Sequence, residues 1–576
     1  MAKLVADIMV EALVEAGAKR CYGVVGDTLN FFTDALRREG SIRWVHVRHE
    51  EAGGFAAGAD AMLTGELALC AGSCGPGSLH FINGLAESNR NRAPVVLIAS
   101  QITRDELGFD FPQEIDYRSV YQSVSVFCEE IRTPEQARRM TVAAAQAALE
   151  KRGVAVLIMP VDVSKAAAPK EPHFRTQRAR TQSRPDDQAL REIADALNAG
   201  KKISIYAGAG CENAHDEVVA LAAKLKAPVT HTSRAKDFLS HDNPYDVGMT
   251  GIFGNAGGMD AVLDSDTLLL LGCDFAWRQF YPSKAKIIQI DVEATHLGRR
   301  HPVDIAAAGD ARTTVAALLP MITQKSDDSY LKSALEKSKD AIESLDARAR
   351  PGEGLIHPQY LTALISKHSA RDAVLTADGG SPMVWSLRHF QSTGANRTIV
   401  SLRHGTMANA MPQALGAQAA YPDRQVISLS GDGGFAMMMG DILTTVQEKL
   451  PIKIAIVNNS RLDFVDLEQK VEGLLNIYTD LANPDFSKLA AAVGVWGKRV
   501  ETAQDLEAAV IEWLAQPGPA ILDVKTDPDE LVMPPTVNAE QVMGMALYMA
   551  KGVLSGRVKD VAGLAMSAAG TFMKKP

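Results

Sequence analysis

Short apolar runs alternate with helical patterns three times over along this chain, and that alternation restricts its fold more than any other feature. Runs at 95–99 and 154–158 belong to a first block, those at 203–206, 268–271 and 287–290 to a second, and those at 426–429 and 452–457 to a third. Strands of this kind, each followed by a helix, pair in parallel and need helices on both faces of the sheet. At 576 residues the chain exceeds one ordinary domain. The expectation is an α/β protein of three doubly wound parallel-sheet domains plus a C-terminal helical tail, with boundaries at 1–180, 190–330, 355–530 and 531–576. A polar, Pro-containing stretch at 165–187 reads as the first linker; a charged helical segment at 325–350, closed by Pro351-Gly352, marks the second. Three blocks of like pattern suggest an old duplication.

Charge and cysteine usage exclude several functions. The net charge of −9, without a Lys/Arg cluster interleaved with aromatics, argues against nucleic acid. Six cysteines are scattered with no C-x-x-C pair, which reads as reduced thiols and leaves no zinc site. At the N-terminus Leu4, Ile8 and Leu13 recur as on an amphipathic helix, unlike a signal peptide. No apolar run approaches the roughly 18 residues that span a bilayer. The expected location is the cytoplasm, peripheral on the inner face of the cell membrane.

The strongest local signal is Gly431-Asp432-Gly433-Gly434, directly after the run at 426–429. The run at 452–457 then delivers Asn458-Asn459, so that 27 positions separate Asp432 from Asn459. That spacing allows strand end, helix and next strand, which brings both polar groups to one carboxyl edge of a parallel sheet. A carboxylate (Asp432), an amide oxygen (Asn459) and the backbone carbonyl of Arg461 suit a small hard cation such as Mg²⁺, completed by phosphate and water.

This resembles the diphosphate-binding signature of thiamine-diphosphate enzymes. Three further segments carry the same resemblance, in the family's order. Arg48-His49-Glu50-Glu51-Ala52-Gly53-Gly54 is similar to the catalytic-glutamate segment of the pyrimidine-binding domain, which implies that Glu50 hydrogen-bonds N1′ of the aminopyrimidine. Ser73-Cys74-Gly75-Pro76-Gly77 matches that domain's glycine loop. Gly405-Thr406-Met407 falls where the family places a bulky apolar residue, here Met407, holding the cofactor in its V shape. Gly433 and Gly434 are implied cofactor contacts.

The middle block resembles the FAD-binding segments of the quinone-dependent pyruvate dehydrogenases of the bacterial pyruvate oxidase type. The matching residues are Gly251-Ile252-Phe253-Gly254, then Asp274-Phe275-Ala276-Trp277-Arg278, then Asp291 at a strand end. Asp291 suits the adenosine half and Arg278 the diphosphate. The resemblance covers essentially the whole chain. It implies oxidative decarboxylation of pyruvate, or a related 2-keto acid, to acetate and carbon dioxide, with Phe464 and Gln113 as catalytic residues beside Glu50. Electrons pass through FAD to a membrane quinone. It also implies a homo-oligomer, a dimer of dimers, whose active sites take Glu50 from one chain and Asp432 from the next.

Two departures bear on the substrate. Ser460-Arg461-Leu462-Asp463-Phe464 places two charges where relatives have a small neutral stretch, and Pro112 precedes Gln113 where they carry phenylalanine. Two other reactions stay open: an oxygen-using oxidase making acetyl phosphate, and an acetolactate-type carboligase in which FAD is structural. From Lys551 onward Arg557, Lys559, Lys574 and Lys575 face a single acidic residue, Asp560, while Val558, Val561, Leu564, Ala568 and Phe572 share one helical face. Such a tail fits reversible contact with a lipid bilayer surface.

Overall fold

The computed structural model describes residues 3–170, 172–179, 182–352, 355–530, 532 and 539–555. Three six-stranded sheets account for its strands, and every strand pairing is parallel. The first holds β1 (Arg20–Gly23), β2 (Arg43–His46), β3 (Ala68–Gly72), β4 (Val95–Gln101), β5 (Phe127–Glu130) and β6 (Val154–Pro160). The second holds β7 (Ile203–Ala207), β8 (Val229–His231), β9 (Asp246–Met249), β10 (Thr267–Leu271), β11 (Lys286–Asp291) and β12 (Ile305–Ala308). The third holds β13 (Val374–Ala377), β14 (Arg397–Val400), β15 (Val426–Gly431), β16 (Lys453–Asn458), β17 (Trp496–Val500) and β18 (Ala520–Lys525). Central strands such as β4, β7 and β16 are buried along their full length, which is why they read as unbroken apolar runs and not as alternation.

The three blocks are not equivalent. In the first sheet the order is β2-β1-β3-β4-β6-β5, and the third repeats it as β14-β13-β15-β16-β18-β17. The second runs β12-β11-β10-β7-β8-β9, the arrangement of dinucleotide-binding folds with its reversal between β7 and β10. The duplication suggested by sequence therefore relates the outer two blocks, and the middle one has a topology of its own.

The outer two domains share a core. Side chains on β3, β4 and β6 join those on β13, β15 and β16 in one hydrophobic cluster. At its centre the helix Glu50–Thr64 lies against the helix Ala410–Ala420. Small residues make that approach possible: a Cβ on Gly416 would stand 1.9 Å from the carbonyl oxygen of Ala56; Gly58 likewise makes room for the helix Ile82–Arg90, where an added Cβ would stand 2.1 Å from Ser88 Oγ. The Ala/Gly composition of Glu50–Thr64 is thus a packing requirement.

The N-terminal helix spans Val5–Glu15 with its apolar side buried. The described residues between 168 and 186 carry no helix or strand and lead to the helix Asp187–Ala199, and the charged segment forms the helix Ser329–Asp346. Among the described residues no helix is long and apolar enough to cross a membrane. A helix Ala539–Leu554 follows the third domain. The basic face predicted beyond Ser555 lies outside the described residues.

Candidate active site

The end of β15 passes directly into the helix Asp432–Met438, so Asp432 is the helix's first residue. Its carboxylate is buried and held on both oxygens. Oδ1 accepts from the backbone of Gly433 at 2.8 Å; Oδ2 accepts from Ser460 N at 2.6 Å and Asn483 Nδ2 at 2.8 Å. Burial raises its pKa, and the bonds from Ser460 and Gly433 oppose that. β16 lies beside β15 in register, Gly431 opposite Val457, so Asn458 and Asn459 emerge next to Asp432 as the spacing predicted. Asn458 binds inward to Asp523 at 2.8 Å, whereas Asn459 follows the strand end and its Oδ1 accepts from Arg461 N at 3.0 Å. Carboxylate, amide and carbonyl oxygens at two adjoining strand ends form a hard-donor set that fits a Mg²⁺–diphosphate.

Met407 stands over this turn. A Cβ on Gly433 would meet Met407 Cε at 3.4 Å and Leu462 Cδ2 at 3.0 Å. The backbone leading there is constrained: Gly405 and Ala408 both have positive φ, 73° and 65°, and Thr406 N donates to Ser401 Oγ at 3.0 Å. Ala408 is a non-glycine residue in the left-handed region, a conformation that concentrates at functional sites.

In the first domain Glu50 opens the helix Glu50–Thr64, whose N-cap, His49, accepts from Glu51 N at 3.2 Å. Glu50 Oε2 lies 3.0 Å from His80 Nδ1, and the His80 ring stacks on His49 with centroids 4.6 Å apart. Oε1 faces the glycine loop, 3.4 Å from where Gly77 would carry a Cβ. The loop also receives Gln113: the Cys74 thiol donates to Gln113 Oε1 at 3.2 Å, and a Cβ on Gly75 would collide with Gln113 Cβ at 2.8 Å. Gln113 itself holds φ at 70°. Glu50, the glycine loop and Gln113 therefore meet, although 113 − 50 = 63 positions separate Glu50 from Gln113 in sequence. This corner also touches the third domain, because Asn83 Nδ2 donates both to Glu51 Oε1 at 2.7 Å and to Thr406 Oγ1 at 3.2 Å.

In the middle domain the two predicted loops touch each other. Gly251, with φ 91°, lies under Phe275, whose Cζ would be 2.8 Å from an added Cβ. Ile252 packs against the cluster that includes Phe275, and Gly254 N closes the turn onto Gly251 O at 3.0 Å. Phe253 and Phe464 pack on one cluster, Val384, Trp385 and Val532, which joins the middle domain to the helix Asp463–Val471. Asp291 ends β11, buried, and accepts from Glu293 N at 2.9 Å. These residues line the carboxyl edge of a sheet ordered for dinucleotides, and so they fit FAD.

Three of the sequence assignments have surroundings that the sequence did not indicate. Asp274 is taken up by Arg299 and by Arg300, the latter at 3.0 Å. Ala276, Trp277 and Arg278 lie on an exposed stretch of the same loop. The two charges that depart from the family's pattern do not face a substrate as free charges. Arg461 is paired with Asp529 at 3.1 Å and Asp480 at 3.4 Å, and burial pushes the Asp463 carboxyl up to about 7.

Sequence reasoning missed Asp378, which stands behind the Gly431 turn. It accepts from Ala410 N at 2.8 Å and Gly431 N at 3.1 Å, and burial pushes its pKa up to about 7. A Cβ on Gly434 would fall 2.3 Å from its Oδ2, so the second glycine of the motif makes room for this carboxylate. The signal was present: Asp378-Gly379-Gly380 follows β13 much as Asp432-Gly433-Gly434 follows β15. His80 and Asn483 carried no motif at all.

Comparison with known proteins agrees with this geometry. Profiles of thiamine pyrophosphate enzymes match in chain order: the N-terminal TPP binding domain over residues 3–120, the central domain over 190–318, and the C-terminal TPP binding domain over 378–524. A putative thiamine pyrophosphate-containing protein of Bacillus subtilis is 32% identical over 98% of this chain and 99% of its own length. The chain is a thiamine pyrophosphate enzyme. Among its relatives, a pyruvate oxidase of Lactiplantibacillus plantarum is 29% identical over 89% of this chain and 87% of that protein. An acetolactate synthase isozyme 2 large subunit of Escherichia coli is also 29% identical, over 91% of this chain and 96% of its own. In this thiamine pyrophosphate enzyme the first and third sheets carry the two binding domains, and the middle sheet separates them in sequence.

Proposed function

We propose that this enzyme oxidatively decarboxylates pyruvate or a closely related 2-keto acid, passing electrons through FAD to a membrane quinone. The observation that carries the redox part is the shared packing of Phe253 and Phe464 on Val384 and Trp385. It couples the proposed flavin loop to the helix that begins beside the metal-ligand set, as electron transfer between two cofactors would need. The likeness to a pyruvate oxidase supports the substrate class.

Thiamine diphosphate, when bound, supplies a carbon nucleophile and an electron sink. Asp432, Asn459 and the Arg461 carbonyl hold its Mg²⁺, and Met407 supports its bend beside Gly433. Glu50, steadied by His80, shares a proton with the aminopyrimidine ring as a general acid–base. Gln113 extends over the glycine loop towards the 2-keto acid, and Phe464 closes the other side. With Arg461 paired and the Asp463 carboxyl made harder to ionise by burial, the walls near Phe464 carry less charge than the sequence alone suggests, which suits loss of a carboxylate from an apolar enclosure. Gly251, Ile252, Phe253, Phe275 and Asp291 form the flavin edge. The C-terminal segment reaches the lipid surface where a quinone dissolves, and copies of the chain associate around shared sites.

The acetolactate synthase likeness supports a second reading, carboligation with FAD structural. Anaerobic mixing of the holoenzyme with pyruvate separates them. Bleaching of the oxidised flavin band, reversed by a quinone analogue, is the expected result. Reversal that needs oxygen and phosphate indicates the acetyl phosphate-forming oxidase, and a flavin that stays oxidised while acetolactate accumulates overturns the redox assignment.

A further inference from the structure

The helix Ser381–His389 runs from the thiamine site to the middle domain, and a buried lysine holds its far end. Its first turn lies against the turn that leads into Asp432: a Cβ on Gly431 would stand 3.5 Å from Pro382 Cγ. Its middle carries Val384 and Trp385, on which Phe253 of the middle domain and Phe464 both pack. The Trp385 ring is fully buried and its Nε1 has no hydrogen-bond partner among the described residues, so packing and the helix hold the ring in place. Towards the end of the helix Arg388 Nε donates to Phe253 O at 3.2 Å.

The lysine comes from the other domain. Lys236 opens the short helix Lys236–Leu239 after β8 and is buried. Its Nζ donates to two carbonyl oxygens: that of Ser386, at 3.3 Å, and that of Phe390, the C-cap of Ser381–His389. A helix C-terminus offers free carbonyls and the negative end of the helix dipole, and a cation placed there is held by both. The next residue makes a second grip on the third domain. Asp237 accepts from Thr398 N at 2.5 Å and Thr398 Oγ1 at 3.1 Å on β14, and its backbone carbonyl accepts from Ser392 Oγ at 2.9 Å.

Burial pushes the Lys236 pKa down to about 8, with the charges of Asp237 and Asp246 opposing the shift. Among the described residues the ammonium is met by the two carbonyls and by no ion pair. An apolar side chain would spare the fold the cost of that buried charge, so what the lysine supplies is its two bonds to the helix.

We infer that Lys236 is a positioning residue for electron transfer: its grip on Ser386 and Phe390 fixes the helix Ser381–His389, so that Trp385 and Phe253 stay packed between the middle domain and Phe464. The inference rests on the redox reading above. In that reaction a 2-keto acid and water yield a carboxylic acid, carbon dioxide, two protons and two electrons, and FAD takes up both protons and both electrons. Lys236 makes and breaks no bond. Loosening its grip disorders the route to the flavin and leaves the decarboxylation that precedes it alone.

The test uses the full-length holoenzyme as wild type, Lys236→Met and Lys236→Arg. Amide hydrogen exchange over residues 381–390 should quicken in Lys236→Met and return to the wild-type pattern in Lys236→Arg. On anaerobic mixing with pyruvate, flavin bleaching in Lys236→Met should slow by about tenfold or more, while single-turnover release of carbon dioxide keeps its wild-type rate. Lys236→Arg should recover most of the bleaching rate. If Lys236→Met does not fold, Lys236→Gln, whose amide still donates to one carbonyl, carries the same test with smaller changes in the same direction. Unchanged exchange, or bleaching at the wild-type rate, overturns the inference. So does a loss of carbon dioxide release equal to the loss of bleaching, which is the mark of general structural damage. A wild-type flavin that pyruvate leaves oxidised defeats the redox reading itself, and the role of Lys236 in electron transfer falls with it.

Discussion

Single residues decide whether the corner around Glu50 can work. Its carboxylate is fixed by His80 and opens towards the glycine loop, so Glu50→Gln keeps the shape and removes the ability to exchange a proton. Turnover is expected to fall by about two orders of magnitude or more, while thiamine diphosphate affinity changes little, as steady-state rates and a cofactor titration will report. Asp463 offers a test on pH. Its pKa is raised to about 7, first by burial, so between roughly pH 4 and 7 the folded chain keeps a proton that the unfolded chain has released. Stability contributed by the neutral carboxyl is full below that window and is lost as pH climbs through it. Asp463→Asn fixes the neutral form. Its thermal midpoint should match wild type below about pH 4 and exceed it by a growing margin as pH rises towards 7 and beyond; the opposite order would show that the charge is favoured where it sits. Asp432 and Asn459 were legible because motif spacing reports strand ends, and Glu50 only through the resemblance of its segment to the family's. His80 was not, since its contact crosses from a loop to a helix start with nothing in the intervening sequence to mark it, and Asp378 was marked only by an Asp-Gly-Gly after β13 that repeats the one after β15.

Among elements, the buried strands announced themselves as apolar runs, and their ends fell within a residue or two of expectation. Helix partners were invisible, because a stripe of Gly and Ala says only that something approaches closely. The C-terminal helix Ala539–Leu554 is the clearest case. It docks on the end of the helix Asp463–Val471, where a Cβ on Gly544 would stand 1.8 Å from Val471 O. Tyr548 is fully buried there with its hydroxyl bonded to Asn476 Oδ1 at 3.1 Å, and Lys551 Nζ donates to Gly473 O at 2.8 Å. Gly544→Val forces a side chain into that contact, and overpacking of this kind costs about 1–3 kcal/mol. The helix is expected to undock, giving new protease cleavage between residues 531 and 555 and altered turnover through the helix that carries Phe464. Met543→Ala, at a side chain 71% exposed one position away, should leave both unchanged.

At the scale of the whole molecule, the sheet orders say which parts belong together. The first and third domains share one topology and one hydrophobic core, as two halves of a single binding unit would, and the middle domain has a different strand order. That division does not say whether the two halves of one chain close a site or whether two chains exchange them. Asn83 links Glu51 to Thr406 within one chain, which brings the half-sites to a common junction. The family resemblance instead implies Glu50 from one copy and Asp432 from another. Mixing decides it. Glu50→Gln and Asp432→Asn proteins, each inactive alone, are co-refolded or co-expressed and the hybrids assayed. With sites shared across a symmetric dimer, half the dimers formed at random are mixed and each has one intact site, so about a quarter of wild-type activity should return. With sites closed inside one chain, every site keeps its lesion and no activity returns, whatever the oligomer's mass in solution.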